Sequence, residues 1–62
     1  REFRRSIVLS RDMKKGEIIE YEDIDYKRPG GAFDPDMTDF VVGRTVNKDL
    51  KYDHILSKDD II

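Results

Sequence analysis

RDMKKGEIIEYEDI, residues 11–24, is answered by KDLKYDHILSKDDI, residues 48–61, in a chain of 62 residues. Displaced by 37 positions, Asp12 falls on Asp49, Lys14 on Lys51, Ile18 on Ile55, Asp23 on Asp60 and Ile24 on Ile61. Arg11/Lys48, Met13/Leu50, Ile19/Leu56 and Glu22/Asp59 are like-for-like pairs. Charge alone would match by accident in so charged a chain. The apolar positions match too, and they decide folding.

Around the repeat the chain reads as short extended pieces and tight turns. Ser6-Ile7-Val8-Leu9-Ser10 is a β-branched run with polar ends, which predicts a strand. Lys14-Lys15-Gly16 turns the chain, because glycine reaches positive φ at no steric cost. Glu17-Ile18-Ile19 resumes extended structure. Tyr21 to Ile24 is too short for a stable α-helix and predicts one 3₁₀ turn. Asp25 to Arg28 is extended, since Pro29 biases Arg28 away from helix. In the second copy, Arg44 to Asn47 supplies the strand and Tyr52-Asp53 the turn. Asp53 stands where Gly16 stood, and aspartate tolerates a left-handed backbone. His54-Ile55-Leu56 is the returning strand, and Lys58 to Ile61 the 3₁₀ turn. Neither copy can bury its apolar face alone, so two half-cores closing about an approximate two-fold axis are expected.

Between the copies lies RPGGAFDPDMTDFVVG, residues 28–43, which has no counterpart. Pro29-Gly30-Gly31 is a loop by composition. Asp34-Pro35 is a helix start, with aspartate as N-cap and proline at the first helical position. Met37, Phe40 and Val41 then fall on one apolar face of one or two turns, and Gly43 is a plausible stop. The expected fold class is mostly β, with short 3₁₀ turns and an internal pseudo-two-fold repeat. Residues 1–5 read as a linker remnant and 6–62 as one domain.

A chain this short makes one domain with a small core. It has no cysteine, so neither disulfides nor thiolate metal sites supplement that core. Charged residues are 42% of the chain, yet the net charge is only −2. That balance gives no electrostatic footprint for nucleic acid or an anionic membrane. No apolar run reaches the roughly 20 residues that span a bilayer, and a cytoplasmic setting is the default. The basic group Arg1, Arg4 and Arg5 reads as a solvated leader. The chain opens on Arg1 rather than methionine, as expected of a domain cut from a longer protein.

Chemistry is sparse. His54 is the single histidine, and Asp34, Asp36, Asp59 and Asp60 fall in cap and turn contexts, so no metal site is expected. Ser6, Ser10 and Ser57 have no base placed beside them by sequence. Gly30-Gly31 lacks the rest of a phosphate loop. The aromatics do not alternate with basic residues as an RNA-binding sheet requires. No catalytic residue is expected in this chain. One stretch stands out, Tyr26-Lys27-Arg28-Pro29-Gly30. Arg28 is either a surface arginine ahead of a turn or a planar fork of donors on a rigid loop, offered to another molecule.

Arg5-Ser6-Ile7-Val8, Asp12 to Glu17, Lys27-Arg28-Pro29-Gly30, Val42-Gly43-Arg44 and the second Asp49-Leu50-Lys51 together resemble the SAF, or antifreeze-like, domain. The version at the C-terminus of bacterial sialic acid (N-acetylneuraminate) synthases is the most similar. The resemblance implies a compact β-clip fold, and a TIM barrel outside this chain. That barrel binds a divalent metal (Mn or Mg) and condenses phosphoenolpyruvate with an N-acetylated amino sugar. It further implies a dimer in which this domain covers the partner's active site. Arg28 then contacts the N-acetyl group, supported by the loop residues Pro29, Gly30, Gly31 and Phe33. No cofactor is implied in this domain itself, and the isolated domain is expected to be a monomer. Ala32 departs from the family pattern, where a second glycine is common, and puts the path of the loop and the sugar preference in question. Tyr26 and Phe33 flank the loop, with core packing as their expected job.

Two rival functions follow from the same resemblance. Type III antifreeze proteins share the fold, but their ice-binding face is flat and largely uncharged. Here the corresponding stretch carries Glu17, Glu20, Glu22 and Asp23, so ice binding is not expected. The alternative is an SAF interaction module of a flagellar or pilus assembly protein or a sugar-acid dehydratase, which the sequence upstream would discriminate.

Overall fold

Ser6 to Leu9 form β1, and all four side chains are buried. In this computed structural model, which describes residues 4–62, β1 has neighbours on both sides. Arg1 of the basic leader, and with it most of the linker remnant, lies outside the described residues. On one side β1 pairs antiparallel with β2, Ile24–Lys27, in the register Ser6 to Lys27 and Leu9 to Ile24. On the other side it meets the returning segment of the second copy. Leu9 N–H donates to His54 O at 3.0 Å, Leu56 N–H to Ile7 O at 3.0 Å, and Val8 bridges Ile55. A strand paired on both edges satisfies its backbone without water, which is why an uninterrupted apolar run sits there.

The second copy departs from expectation. Arg44 to Asn47 is not a continuous strand: Thr45 bridges Ile18 and Val46 bridges Ile61, each singly. Glu17 to Ile19 and His54 to Leu56 likewise contribute isolated bridges. The pairings nonetheless recur at a spacing of 37. Val8 to Ile55 is matched by Thr45 to Ile18, and Leu9 to Ile24 by Val46 to Ile61. Met13 and Leu50 meet each other, exchanging N–H···O bonds of 2.8 Å in both directions. The first turn's Lys15 N–H donates to Asp49 Oδ1 at 2.9 Å, and the second turn's Tyr52 N–H to Asp12 Oδ1 at 2.7 Å. Each copy therefore caps the other's turn. Gly16 has φ +97° and Asp53 φ +71°, so aspartate takes the left-handed position expected of it.

The core is built from the matched apolar residues. Leu9 and Val46, Met13 and Leu50, and Ile19 and Leu56 are all buried, while Ile24 and Ile61 pack against them. Ile7, Phe33 and Val41 complete the cluster. Phe33 is 1% exposed, and Tyr26 is half-buried against the core with its hydroxyl 2.6 Å from Thr38 Oγ1. Both aromatics beside the loop therefore pack.

In the intervening segment a 3₁₀ turn, Pro35–Met37, runs into one turn of helix, α1, Thr38–Val41. Asp34 precedes Pro35 as expected but makes no side-chain cap; Thr38 Oγ1 instead donates to Pro35 O at 2.7 Å. Gly43, at φ +95°, ends the helix. The expected apolar face is only partly buried: Val41 is inside, whereas Met37 and Phe40 are exposed. Two further 3₁₀ turns, Tyr21–Asp23 and Lys58–Asp60, occupy equivalent places in the two copies.

Asp60 lies in a turn as expected, but it is buried, and so is Asp23, which the sequence reading counted among the charges of the first copy's face. Each is 4% exposed and closes its 3₁₀ turn. Asp23 Oδ2 accepts Glu20 N–H at 2.9 Å, and Asp60 Oδ2 accepts Ser57 N–H at 3.0 Å. Glu20 and Glu22 remain exposed on the first copy's face.

Candidate functional site

Arg28 sits just beyond β2, where the chain leaves the sheet through a cis Arg28–Pro29 bond. Its side chain is exposed, and no other described residue forms a hydrogen bond or ion pair with it. Its neighbour Lys27 is tethered. Lys27 Nζ bonds Asp53 Oδ1 and lies 5.1 Å from the centroid of the Tyr52 ring. The Asp53 contact, first, and Tyr52 hold its ammonium pKa above the ordinary lysine range. Of these two adjacent cations, Lys27 is thus committed to the fold and Arg28 to solvent.

The loop is held from beneath. Ser6 Oγ, at the start of β1, bonds Pro29 O at 2.7 Å and Lys27 O at 3.1 Å, so its hydroxyl spans the carbonyls on either side of Arg28. Ser6 is completely buried. Gly31 passes directly over the same residue. A Cβ built there would stand 2.8 Å from Ile55 Cγ2, a distance at which something must shift, and 3.2 Å from Ser6 Cβ, tighter than most real contacts. Phe33 is the inner anchor: its carbonyl accepts Ile7 N–H at 3.0 Å and its ring is in the core. Pro29 and Ala32 are exposed and Gly30 half-buried, with no side-chain bond of their own. Sequence reasoning placed the loop residues together but missed Ser6 and Ile55. The one available signal was a serine opening an otherwise apolar strand.

Two ion-pair clusters stand at equivalent places in the two copies. In the first, Arg11 reaches Asp23 Oδ1 at 2.8 Å and Glu17 Oε1 at 2.9 Å. Burial pushes the Asp23 carboxyl up, but Arg11 and the Glu20 amide outweigh it and leave it below the usual carboxylate range. Arg11 itself is raised by Asp23 and then Glu17. In the second, His54 stands where Glu17 stood and touches Asp60 directly, Nε2 to Oδ2 at 2.7 Å, while Lys48 lies 3.5 Å from Oδ1. Burial again raises the Asp60 carboxyl, and His54 and the Ser57 amide bring it below its ordinary value.

Sequence alone brought no serine to His54, yet Ser57 Oγ shares its carboxylate, 3.1 Å from Asp60 Oδ2. Both side chains bond to the aspartate, and no bond between them is formed. Among the described residues no three histidine, cysteine, aspartate or glutamate side chains are grouped to hold a metal ion. No helix there is long and apolar enough to cross a membrane.

The SAF domain profile matches residues 4–62. An uncharacterised protein of Methanocaldococcus jannaschii is 36% identical over 61 residues, covering 98% of this chain and 18% of its own length. Pseudaminic acid synthases from two Campylobacter jejuni strains are 33% identical over 60 residues, covering 97% of this chain and 18% of theirs. The chain thus spans about a fifth of the curated relatives it matches. A profile that runs from Arg4 to Ile62, through β1, both turns and the Arg28 loop, makes this chain a member of the SAF domain family.

Proposed function

We propose that this SAF domain is the antifreeze-like lid of a sialic acid synthase-like enzyme, one that condenses phosphoenolpyruvate with an N-acetylated amino sugar. The observation that carries the reading is Arg28: an exposed guanidinium with no partner among the described residues, beside a tethered lysine and on a loop pinned to β1. In this reading the two copies close as a β-clip, and the domain covers the active site of a partner subunit's barrel. Arg28 donates hydrogen bonds to the N-acetyl carbonyl oxygen and fixes the acceptor sugar. In this reading the condensation itself belongs to the barrel, as does its divalent metal. The similarity to pseudaminic acid synthases supports the substrate class.

The test is phosphate release by the full-length protein that carries this domain, given phosphoenolpyruvate, a divalent metal and N-acetylated amino sugars. Arg28→Ala removes one charged hydrogen bond, a loss of roughly 1.5–3 kcal/mol, or on the order of 10- to 150-fold in kcat/KM for the sugar. Turnover indifferent to Arg28 would remove the lid role. Absence of turnover with any such sugar would favour an SAF interaction module.

A further inference from the structure

We infer that Ser6 is the positioning residue for Arg28, its buried hydroxyl setting the direction in which the guanidinium leaves the domain. Ser6 opens a strand whose other members, Ile7, Val8 and Leu9, are all apolar and buried. A hydroxyl in such a place loses its water, and it is retained only with partners that replace it. Those partners are the carbonyls of Lys27 and Pro29, the residues on either side of Arg28. One hydroxyl carries one proton. Pro29 O, at 2.7 Å, takes the better share of it, and Lys27 O, at 3.1 Å, the remainder.

The loop has few other means of holding itself. Pro29 has no N–H to donate, and the Arg28 side chain bonds nothing in the described chain. Gly31 then presses onto Ser6 and Ile55 with no room for a side chain. The chain around Arg28 is therefore held by a hydroxyl below and a steric stop beyond, both on β1 and its neighbour. Such a mount lowers the ordering cost of binding, because the backbone of the loop is held beforehand. For function, the inference rests on the substrate-facing reading of Arg28; for loop order, it stands on the fold alone.

The experiment has two arms. In the 62-residue chain, backbone amide relaxation is compared between wild type, Ser6→Ala and Gly31→Ala. Both variants are expected to raise the mobility of the Arg28, Gly30 and Gly31 amides, while the Met13 and Leu50 amides at the centre stay ordered. Unchanged order at those loop amides in the folded variants would overturn the inference, and Gly31→Ala serves where Ser6→Ala fails to fold. In the full-length protein, Ser6→Ala is expected to lower kcat/KM for the sugar on the order of 10- to 100-fold, the scale of a misplaced contact. In an Arg28→Ala background the same change is expected to cost less than threefold, because the group it positions is gone. Equal losses in both backgrounds would make Ser6 a merely structural residue. A silent Arg28→Ala would sink the proposed function while leaving the relaxation result to decide the loop.

Discussion

Asp23 and Asp60 are buried carboxylates 37 residues apart, each closing a 3₁₀ turn and each facing cations. Their pKa values are depressed in the folded chain. Stability from such groups is present above the ordinary carboxylate value of about 3.9 and is lost as pH falls through the folded-state values. Asp60→Asn and Asp23→Asn should each cost about 1–3 kcal/mol at neutral pH, the penalty for disturbing a buried charged bond. Each should also flatten the acid side of the stability curve. Urea unfolding at a series of pH values checks this, and an unchanged acid slope in both variants would count against it. Asp53 gives a second test at this scale. Its φ of +71° costs a non-glycine residue roughly 1–2 kcal/mol. Asp53→Gly should therefore be more stable than Asp53→Ala by about 1 kcal/mol. The reverse order of urea midpoints would refute that. Asp53 was legible from sequence because its left-handed turn is local chemistry. The burial of Asp23 was not, because it depends on Arg11 arriving from outside the turn.

At the scale of elements, the segment Pro35 to Val41 shows how far an apolar pattern can be trusted. Spacing put Met37, Phe40 and Val41 on one face, and the helical turn formed. Only Val41 reached the core, while Met37 and Phe40 stay exposed. Phe40 instead covers Phe33 at a centroid distance of 5.9 Å, and Arg44 stacks over it at 3.9 Å. The two phenylalanines should separate sharply on truncation. Phe33→Ala should cost about 3–5 kcal/mol, as for a fully buried ring, enough to unfold most of a domain this small. Phe40→Ala should cost about 1 kcal/mol, the value of a half-exposed aromatic contact. Thermal melts of the two variants decide it, and comparable losses would mean that the helical turn is more deeply packed than its exposure indicates. The Arg44 to Asn47 segment teaches the complementary lesson. Its residues pair as a strand's would, but one bridge at a time, since each partner segment turns away within two or three residues.

At the scale of the whole molecule, the backbone bonds at the centre of the core run between the copies, while the β1–β2 ladder and the Ser10–Asp23 bond lie within the first. Leu9 answers His54 and Asp53, Met13 answers Leu50, Gly16 answers Val46 and Ile19 answers Arg44. This was the most legible feature of the sequence, because a repeat of apolar residues states which surfaces must meet. What a repeat cannot state is the mount of Arg28, which lies in the segment without a counterpart and depends on Ser6 far away in sequence. The cross-pairing has a consequence for folding. A fragment of residues 1–34 keeps β1, β2 and the first turn, yet loses the partners of the Leu9, Met13, Gly16 and Ile19 amides. A two-stranded ribbon without a covered face is marginal in water, so the fragment alone should show the narrow amide dispersion of an unfolded chain. The fragment 35–62 should do the same. Mixed together at high concentration, the two should recover the dispersed spectrum of the intact domain, because the bonds that matter run between them. Native-like dispersion from either fragment alone would show that one copy can close its own core, and would make the repeat an incidental resemblance rather than the basis of the fold.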